Sequence, residues 1–227
     1  MLSSWGLAFD AIDVEAHPEA RAELTRLGIP AVPAVVTAQG AVHGWNPRGV
    51  AALFGIVLPD GPPMPVAELG RRLDRVLDAA CRLVAGVAPE HLTLRHPGRD
   101  RSLRDLAFHL MRVGLSIRDA VSERRFPEAW LRERAPEGLA DGTALAGYGQ
   151  AVRRALAAWF EDSAVIHGSV ETYYGRQDAH ELMERTVWHA AQHLRQIHAL
   201  LTDAGAPPRE PLDASLLEKL PLPTSIW

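Results

Sequence analysis

Apolar residues change their spacing along the chain near residue 57. Beyond that point they recur at three- and four-residue steps, which is the period of an amphipathic helix. Ser102 and Asp178 are good N-caps for the second and fourth of the helices that this pattern predicts. The four apolar stripes cover residues 69–87, 103–121, 145–159 and 182–201. Four amphipathic helices of about twenty residues each are enough for an antiparallel four-helix bundle, so we expect a mainly α fold.

The first 56 residues alternate short elements of both kinds. Asn46 is a natural N-cap, and Pro47 suits the first helical position that follows it. The predicted elements, in the order β-α-β-β-α, cover residues 7–14, 18–27, 33–37, 41–43 and 47–53. Further along, the segment GSVETYYGRQ between the third and fourth long helices is extended in character.

Prolines mark the boundary between the two patterns. Residues 57–66 contain four prolines and a glycine, a composition typical of a linker. We therefore predict a first segment at 1–56, a linker at 57–66, the bundle at 67–204, and a tail at 205–227 that packs on the bundle.

Composition excludes several classes of function. An apolar fraction of 47% and a charged fraction of 23% are those of an ordinary globular protein. The formal net charge is −4 and the basic residues are dispersed, so we expect no nucleic-acid partner. No apolar run has the length of a membrane span, and the N-terminus does not have the pattern of a signal peptide. We expect a cytoplasmic protein whose single cysteine, Cys81, is a buried apolar residue rather than a reactive thiol.

Three histidines are the strongest candidates for chemistry. His189 and His193 are one helical turn apart, so both imidazoles leave the same face and can bind one ion. This spacing is weak evidence alone, because the chain has 10 histidines. However, the pair borders the apolar stripe, and His109 lies at the edge of the inward face of the second helix. We predict a three-histidine metal site with an open coordination position, the pattern of a catalytic metal. Three imidazoles accept zinc, nickel, copper or iron(II).

The remaining histidines have no such pattern, and we expect them at the surface. They are His17, His43, His91, His96, His167, His180 and His198.

Two polar residues near the histidine pair are candidates for substrate binding. Arg185 precedes His189 by one turn and could hold a substrate carboxylate, and Gln192 is close on the same helix. Alternatively, Arg185 is solvated and pairs with Glu181.

Three residues of the segment that enters the last helix are candidates for catalysis. They are Glu171, Tyr173 and Tyr174. A tyrosine there could donate a hydrogen bond to a metal-bound anion, although the two rings could equally serve to cover the end of the bundle.

The bundle segment resembles a known family. The stretches LAFHLMRV and WHAAQHLRQ look like the DinB/YfiT-like superfamily of metal-binding bundles, over residues 66–204. This resemblance implies a divalent ion, commonly zinc or nickel, bound by His109, His189 and His193. It also implies isomerase or S-transferase chemistry that uses mycothiol, bacillithiol or a related low-molecular-weight thiol.

The first segment is similar to the C-terminal portion of glutaredoxins, a thioredoxin-like fold. GIPAVPAVV and VHGWNP carry the resemblance over residues 5–56, with Pro33 at the place of the cis-proline. The strand and helix that bear the redox cysteine are missing, so this segment cannot exchange disulfides. Either the start has been lost, or another chain completes the sheet, or the fragment packs on the bundle. Pro33 and Asn46 correspond to places where glutaredoxins hold glutathione; a scaffold or dimer interface is the alternative.

Two functions follow as hypotheses. In the first, the three-histidine site activates a water or a low-molecular-weight thiol for transfer, addition or isomerisation on a small electrophilic substrate. In the second, the chain is a non-catalytic metal-binding or interaction module with a degenerate glutaredoxin-like docking surface. A homodimer is expected in both.

Overall fold

The computed structural model describes residues 1–58, 63–162 and 166–227 and is mainly helical. In chain order its elements are α1 (Pro18–Arg26), β1 (Ala34–Thr37), β2 (Gly40–His43), α2 (Pro47–Leu53), α3 (Val66–Ala85), α4 (Leu103–Glu123), β3 (Arg125–Phe126), α5 (Ala129–Arg132), α6 (Gly142–Asp162), β4 (Ser169–Thr172), β5 (Gly175–Asp178) and α7 (Ala179–Asp203). Single 3₁₀ turns lie at Ser3–Trp5, Pro89–Thr93 and Ala214–Leu216.

The four long helices α3, α4, α6 and α7 form the predicted bundle. Each packs on two principal neighbours, since α3 contacts α6 and α7, and α4 contacts the same two helices. Gly70 near the start of α3 faces the ring of Phe160 near the end of α6, and Gly142 at the start of α6 faces the backbone of Val84 near the end of α3. The pair α3 and α6 is therefore antiparallel.

The ends of the long helices follow the capping signals in the sequence. The Ser102 hydroxyl accepts a hydrogen bond from the Asp105 backbone N–H at 3.2 Å, and the Asp178 carboxylate accepts one from the His180 N–H at 2.8 Å. Helix α7 stops at Asp203, two residues before Gly205, whose φ of 73° belongs to the left-handed region. Since the caps set where α4 and α7 begin, they also set which residues face inward.

A small three-stranded sheet closes one end of the bundle between α4 and α7. The extended segment predicted before the last helix is the hairpin β4–β5, and β3 pairs in parallel with β4 through Arg125↔Glu171 and Phe126↔Thr172. Because β3 follows α4 directly and β5 leads directly into α7, the sheet couples the two helices that carry the candidate histidines.

The first segment contains a hairpin and two helices, close to the prediction. Strands β1 and β2 pair antiparallel from Ala34↔His43 to Thr37↔Gly40, and the Asn46 side chain caps α2 by accepting from the Gly49 N–H at 2.7 Å. The Val32–Pro33 peptide bond is cis, as the glutaredoxin resemblance implies.

The strand predicted over residues 7–14 is wrong. These residues form an irregular stretch in which Phe9 is 52% and Ile12 is 58% exposed. A strand needs a neighbour for its backbone hydrogen bonds, and within the described residues β1 and β2 pair only with each other. The order of elements in this segment is therefore α-β-β-α.

The first segment packs on the bundle near the start of α7. The Trp45 ring lies 5.1 Å from the Trp188 ring, and the Gln177 amide donates to the Trp45 carbonyl at 2.6 Å. Gly44 approaches the Tyr174 ring so closely that a Cβ would collide with it. Of the three arrangements left open for the glutaredoxin-like fragment, packing on the bundle is observed. Part of the predicted linker, residues 59–62, lies outside the described residues, and α3 already begins at Val66.

In the parts of the chain that the structure describes, no helix has both the length and the apolar character needed to cross a membrane.

Substitution of two glycines of α6 by alanine is expected to have opposite effects on stability. A Cβ at the buried Gly149 would lie 2.9 Å from the Met111 Sδ and closer still to the Cys81 Sγ, whereas a Cβ at the exposed Gly147 would meet nothing within 4 Å. We expect Gly149→Ala to destabilise the protein by about 1–3 kcal/mol through overpacking. Gly147→Ala should stabilise it by up to about 1 kcal/mol through helix propensity. Chemical denaturation of both variants measures this, and equal effects would contradict the close packing of α6 on α3 and α4.

Candidate metal centre

The three predicted histidines meet inside the bundle. His109 lies on α4, and His189 and His193 lie one turn apart on α7. One ring nitrogen from each residue can be chosen so that all three lie within 4.8 Å of one another. The ring centroids are separated by 5.4 Å for His109 and His189, 4.9 Å for His109 and His193, and 4.5 Å for His189 and His193. The group therefore spans two helices that face each other.

Each of these imidazoles keeps a buried nitrogen without a hydrogen-bond partner. The atoms are His109 Nδ1, His189 Nδ1 and His193 Nε2. A buried polar atom that lacks a partner costs free energy, and native proteins seldom leave one unsatisfied. Three such atoms in one group are unusual without a shared partner. A divalent cation provides one, since it accepts neutral imidazole nitrogens as ligands. The residues present therefore fit a metal.

Gln196 orients one of the three imidazoles. Its Oε1 lies 2.7 Å from His193 Nδ1, and its Nε2 donates to the Ile226 carbonyl at 2.9 Å. Because the carbonyl can only accept, the amide nitrogen must face Ile226 and the amide oxygen must face the imidazole. His193 Nδ1 then carries the proton, and the lone pair of Nε2 points into the group.

Burial keeps the histidines neutral. It lowers the pKa of His109 and of His189 well below 6.5, and lowers that of His193 to about 4. The positive charges of Arg101 and Arg185 add to this effect at His109 and His189, and those of Arg101 and Arg99 add to the effect of burial at His193. Neutral imidazoles have free lone pairs at neutral pH, so they can bind a metal without first losing a proton.

A pocket of about 580 Å³ opens onto the histidines. His189 and His193 form part of its wall, and Ile226 and Trp227 of the tail form another part. His96 stacks on Trp227 with ring centroids 4.2 Å apart. The expectation that His96 is a surface residue is wrong, because the tail covers its ring. A small molecule that enters this pocket reaches the histidine group.

His180 also differs from the expectation of a surface position. Its Nε2 lies 2.9 Å from the Met64 carbonyl, and its side chain is 24% exposed. The residue joins the start of α7 to the segment that precedes α3, so its role here is structural.

The tail is attached to α7 beside the histidine pair. The Ile226 carbonyl accepts from Gln192 Nε2 at 2.7 Å as well as from Gln196, and the Trp188 indole N–H donates to the Pro221 carbonyl at 3.0 Å. No pattern in the sequence predicts this use of the tail. The acceptors are backbone carbonyls, which leave no signal in residue type or spacing.

Arg185, a candidate for substrate binding, is neither solvated nor paired with Glu181. It is 9% exposed, its Nη2 donates to the Tyr173 hydroxyl at 3.2 Å, and its guanidinium lies over the rings of Phe126 and Tyr174 at 5.6 and 5.3 Å. It lies beside the histidine group but not in the wall of the pocket.

The catalytic candidates of the hairpin do not line this pocket either. The Tyr174 hydroxyl donates to Gln177 Oε1, and Tyr173 is occupied by Arg185. Glu171 is an exposed residue 4.0 Å from Arg176. The structure therefore places His189, His193 and Gln192 in the pocket wall, with His109 in the same histidine group, and leaves the three hairpin residues outside the pocket.

The glutaredoxin-like candidates lie apart from the pocket as well. Pro33 is exposed and its carbonyl accepts from the Gly44 N–H at 2.8 Å, while the Asn46 side chain is used as the cap of α2. Neither residue is in the pocket wall.

Comparison with known proteins gives a partial match. A family model described as Glutaredoxin matches residues 1–41, which is less than half of the chain. No curated protein matches the chain, and no solved structure does. The first segment is thus similar to glutaredoxins. The bundle has no matching protein in these comparisons, so its description depends on its geometry alone.

Two glutamines of α7 offer a matched test of the metal centre. Both donate to the Ile226 carbonyl, but only Gln196 contacts a histidine. We expect Gln196→Ala to weaken Zn²⁺ binding by about 10–100-fold, the usual effect of losing the group that orients a ligand. Gln192→Ala should change it by less than about threefold on the same argument. Competition with a chromophoric chelator measures both affinities, and equal losses would show that Gln196 acts only through the tail.

Proposed function

We propose that this chain is a metal-dependent enzyme. In this proposal His109, His189 and His193 hold a divalent ion, zinc or nickel by the resemblance to the DinB/YfiT-like superfamily. The site would activate a water or a low-molecular-weight thiol for transfer, addition or isomerisation on a small electrophilic substrate. The observation that carries the proposal is the group of three buried, unpartnered imidazole nitrogens beside an open pocket.

The number of ligands favours an enzyme over a structural module. Structural zinc sites are closed by four protein ligands, whereas catalytic sites use three and leave a position for water or substrate. Among the residues that the structure describes, no fourth histidine, cysteine, aspartate or glutamate joins the group. The non-catalytic alternative would be favoured by a closed set of ligands.

The residues around the proposed metal have different roles. A divalent ion bound here would lower the pKa of a water or thiol, and so supply a nucleophile at neutral pH. Gln196 holds the His193 ring in the tautomer that presents Nε2. Trp188 and Trp227 supply large apolar surfaces to the pocket wall, against which a small substrate can pack.

If a thiol is the nucleophile, it comes from outside the chain. Cys81, the single cysteine, is 2% exposed in the core between the helices. Burial raises the pKa of its thiol to about 11, so the thiolate is scarce at neutral pH. This favours a small diffusible thiol, in agreement with both family resemblances.

Removal of one ligand tests whether the histidines hold a metal. We expect about one equivalent of Zn²⁺ per chain after loading and gel filtration, and loss of most of it in His189→Ala, since two imidazoles bind an ion much more weakly than three. His198→Ala, on the same helix but outside the group, is the control. Elemental analysis gives the stoichiometry, and an unchanged metal content in His189→Ala would overturn the site.

Activity is tested on the metal-loaded protein with a panel of thiols and small electrophiles, and with ester substrates for hydrolysis. We expect turnover that disappears on chelation and in His189→Ala. A loaded protein that turns over none of these substrates, with or without a thiol, would favour the non-catalytic module.

A further inference from the structure

The surroundings of the histidine group carry an excess of positive charge. The ligands are three neutral imidazoles, so a divalent ion bound to them keeps its full charge. Arg99, Arg101 and Arg134 also line the pocket, against a single carboxylate from the side chain of Asp100. That carboxylate already pairs with Arg95 and Arg134. The charged side chains of the pocket wall are therefore mostly positive, and the one carboxylate among them is already paired.

Arg101 is the arginine of the pocket wall whose charge has the least compensation. It lines the same pocket as His189 and His193, so a small molecule in the pocket can contact the arginine and the histidine group together. It is half-buried, and its Nη2 donates to the Leu131 carbonyl. No carboxylate in residues 1–58, 63–162 or 166–227 forms an ion pair with it.

Arg134, in the same wall, differs from Arg101 because its charge is paired. Its guanidinium is held by two carboxylates, those of Asp100 and Asp105. Arg99 has no ion pair among the described residues either, but its side chain is exposed and solvated. Arg101 is thus the arginine of the wall that is half-buried and forms no ion pair among the described residues; Asp105 and Asp100 act on it only from beyond ion-pair distance.

A second buried arginine adds to the charge from the other side. Arg185 contacts aromatic rings and the Tyr173 hydroxyl, and it too has no carboxylate partner in the described part of the chain. Burial of a charge without a counter-ion is costly. With Arg101 in the pocket wall, Arg185 beside the histidine group and a metal bound between the histidines, the pocket would be complementary to an anion.

We infer that the pocket binds a small organic acid, whose carboxylate is held by Arg101 while its reactive end faces the three histidines. The planar guanidinium presents parallel N–H donors that match a carboxylate bidentately. This inference rests on the proposed function and deepens it. The molecule that binds next to the metal, whether it is the thiol or the electrophile, carries an acid group.

The test compares two thiols that differ only in charge. The probes are 3-mercaptopropionate and its neutral amide, titrated into the Co²⁺-loaded full chain, with the change in visible absorption of the Co²⁺ as the readout. We expect the acid to bind at least about tenfold more tightly than the amide, the usual worth of a charged hydrogen bond. In Arg101→Gln the ratio of the two Kd values should fall to within about twofold, with amide binding unchanged.

Two further variants keep the result interpretable. Arg134→Gln removes an arginine of the same wall whose charge is already balanced, and should keep most of the preference for the acid. Arg101→Lys retains the charge without the fork, and should keep an intermediate ratio. The lysine variant serves as the test if Arg101→Gln fails to fold. If its ratio of the two Kd values equals that of the wild type, the parallel N–H donors of the guanidinium do not hold the carboxylate, and the inference is overturned.

The outcomes separate the inference from the proposed function. Equal binding of acid and amide, or a preference that persists in Arg101→Gln, overturns the inference while leaving the metal site intact. If neither thiol changes the Co²⁺ spectrum, thiol activation fails, and the same comparison with glycolate and ethylene glycol decides whether Arg101 selects an acid. Failure to bind Co²⁺ at all overturns both.

Discussion

The packing of α4 against α7 leaves one buried nitrogen of each of three imidazoles without a hydrogen-bond partner, and the other features of the site follow from this constraint. Burial holds the rings neutral, so their lone pairs are free. A cation shared by the three nitrogens removes three unsatisfied atoms at once, which is more economical than separate partners for each.

The surroundings of this group support it from two directions. The sheet β3-β4-β5 ties the end of α4 to the start of α7, which fixes the relative position of the helices that carry the ligands. On the other side, the tail covers the pocket through the Ile226 carbonyl, which is bonded to Gln192 and Gln196. The residue that orients His193 is therefore also a residue that holds the tail. Loss of the tail contact would free the Gln196 amide to turn away from the imidazole.

The glutaredoxin-like segment is a contrasting case. Its cis peptide bond at Pro33 lies within residues 1–41, which a Glutaredoxin family model matches, whereas the capped helix α2 lies beyond them. Yet its contact with the bundle is made by Trp45 on Trp188, not by the residues that resemble a thiol site. Trp188 lines the pocket, so the segment contributes to the candidate site by supporting this wall.

The sequence alone determined the features that depend on local spacing. The four long helices, their caps at Ser102 and Asp178, and the histidine pair one turn apart all follow from residues within a few positions of one another. The inward face of α4 predicted His109 for the same reason. The strand expected at residues 7–14 failed because a strand also needs a neighbour, which local pattern does not supply.

Only the tertiary structure decided which distant residues complete the pocket. Arg101 enters from the turn before α4, and Ile226 and Trp227 enter from the tail. Their contacts use backbone carbonyls and an unpaired charge, neither of which has a signature in the sequence. The three histidines could be predicted because the helical period shows which residues share a face. Their surroundings could not be predicted, because contacts between distant parts of the chain follow no period in the sequence.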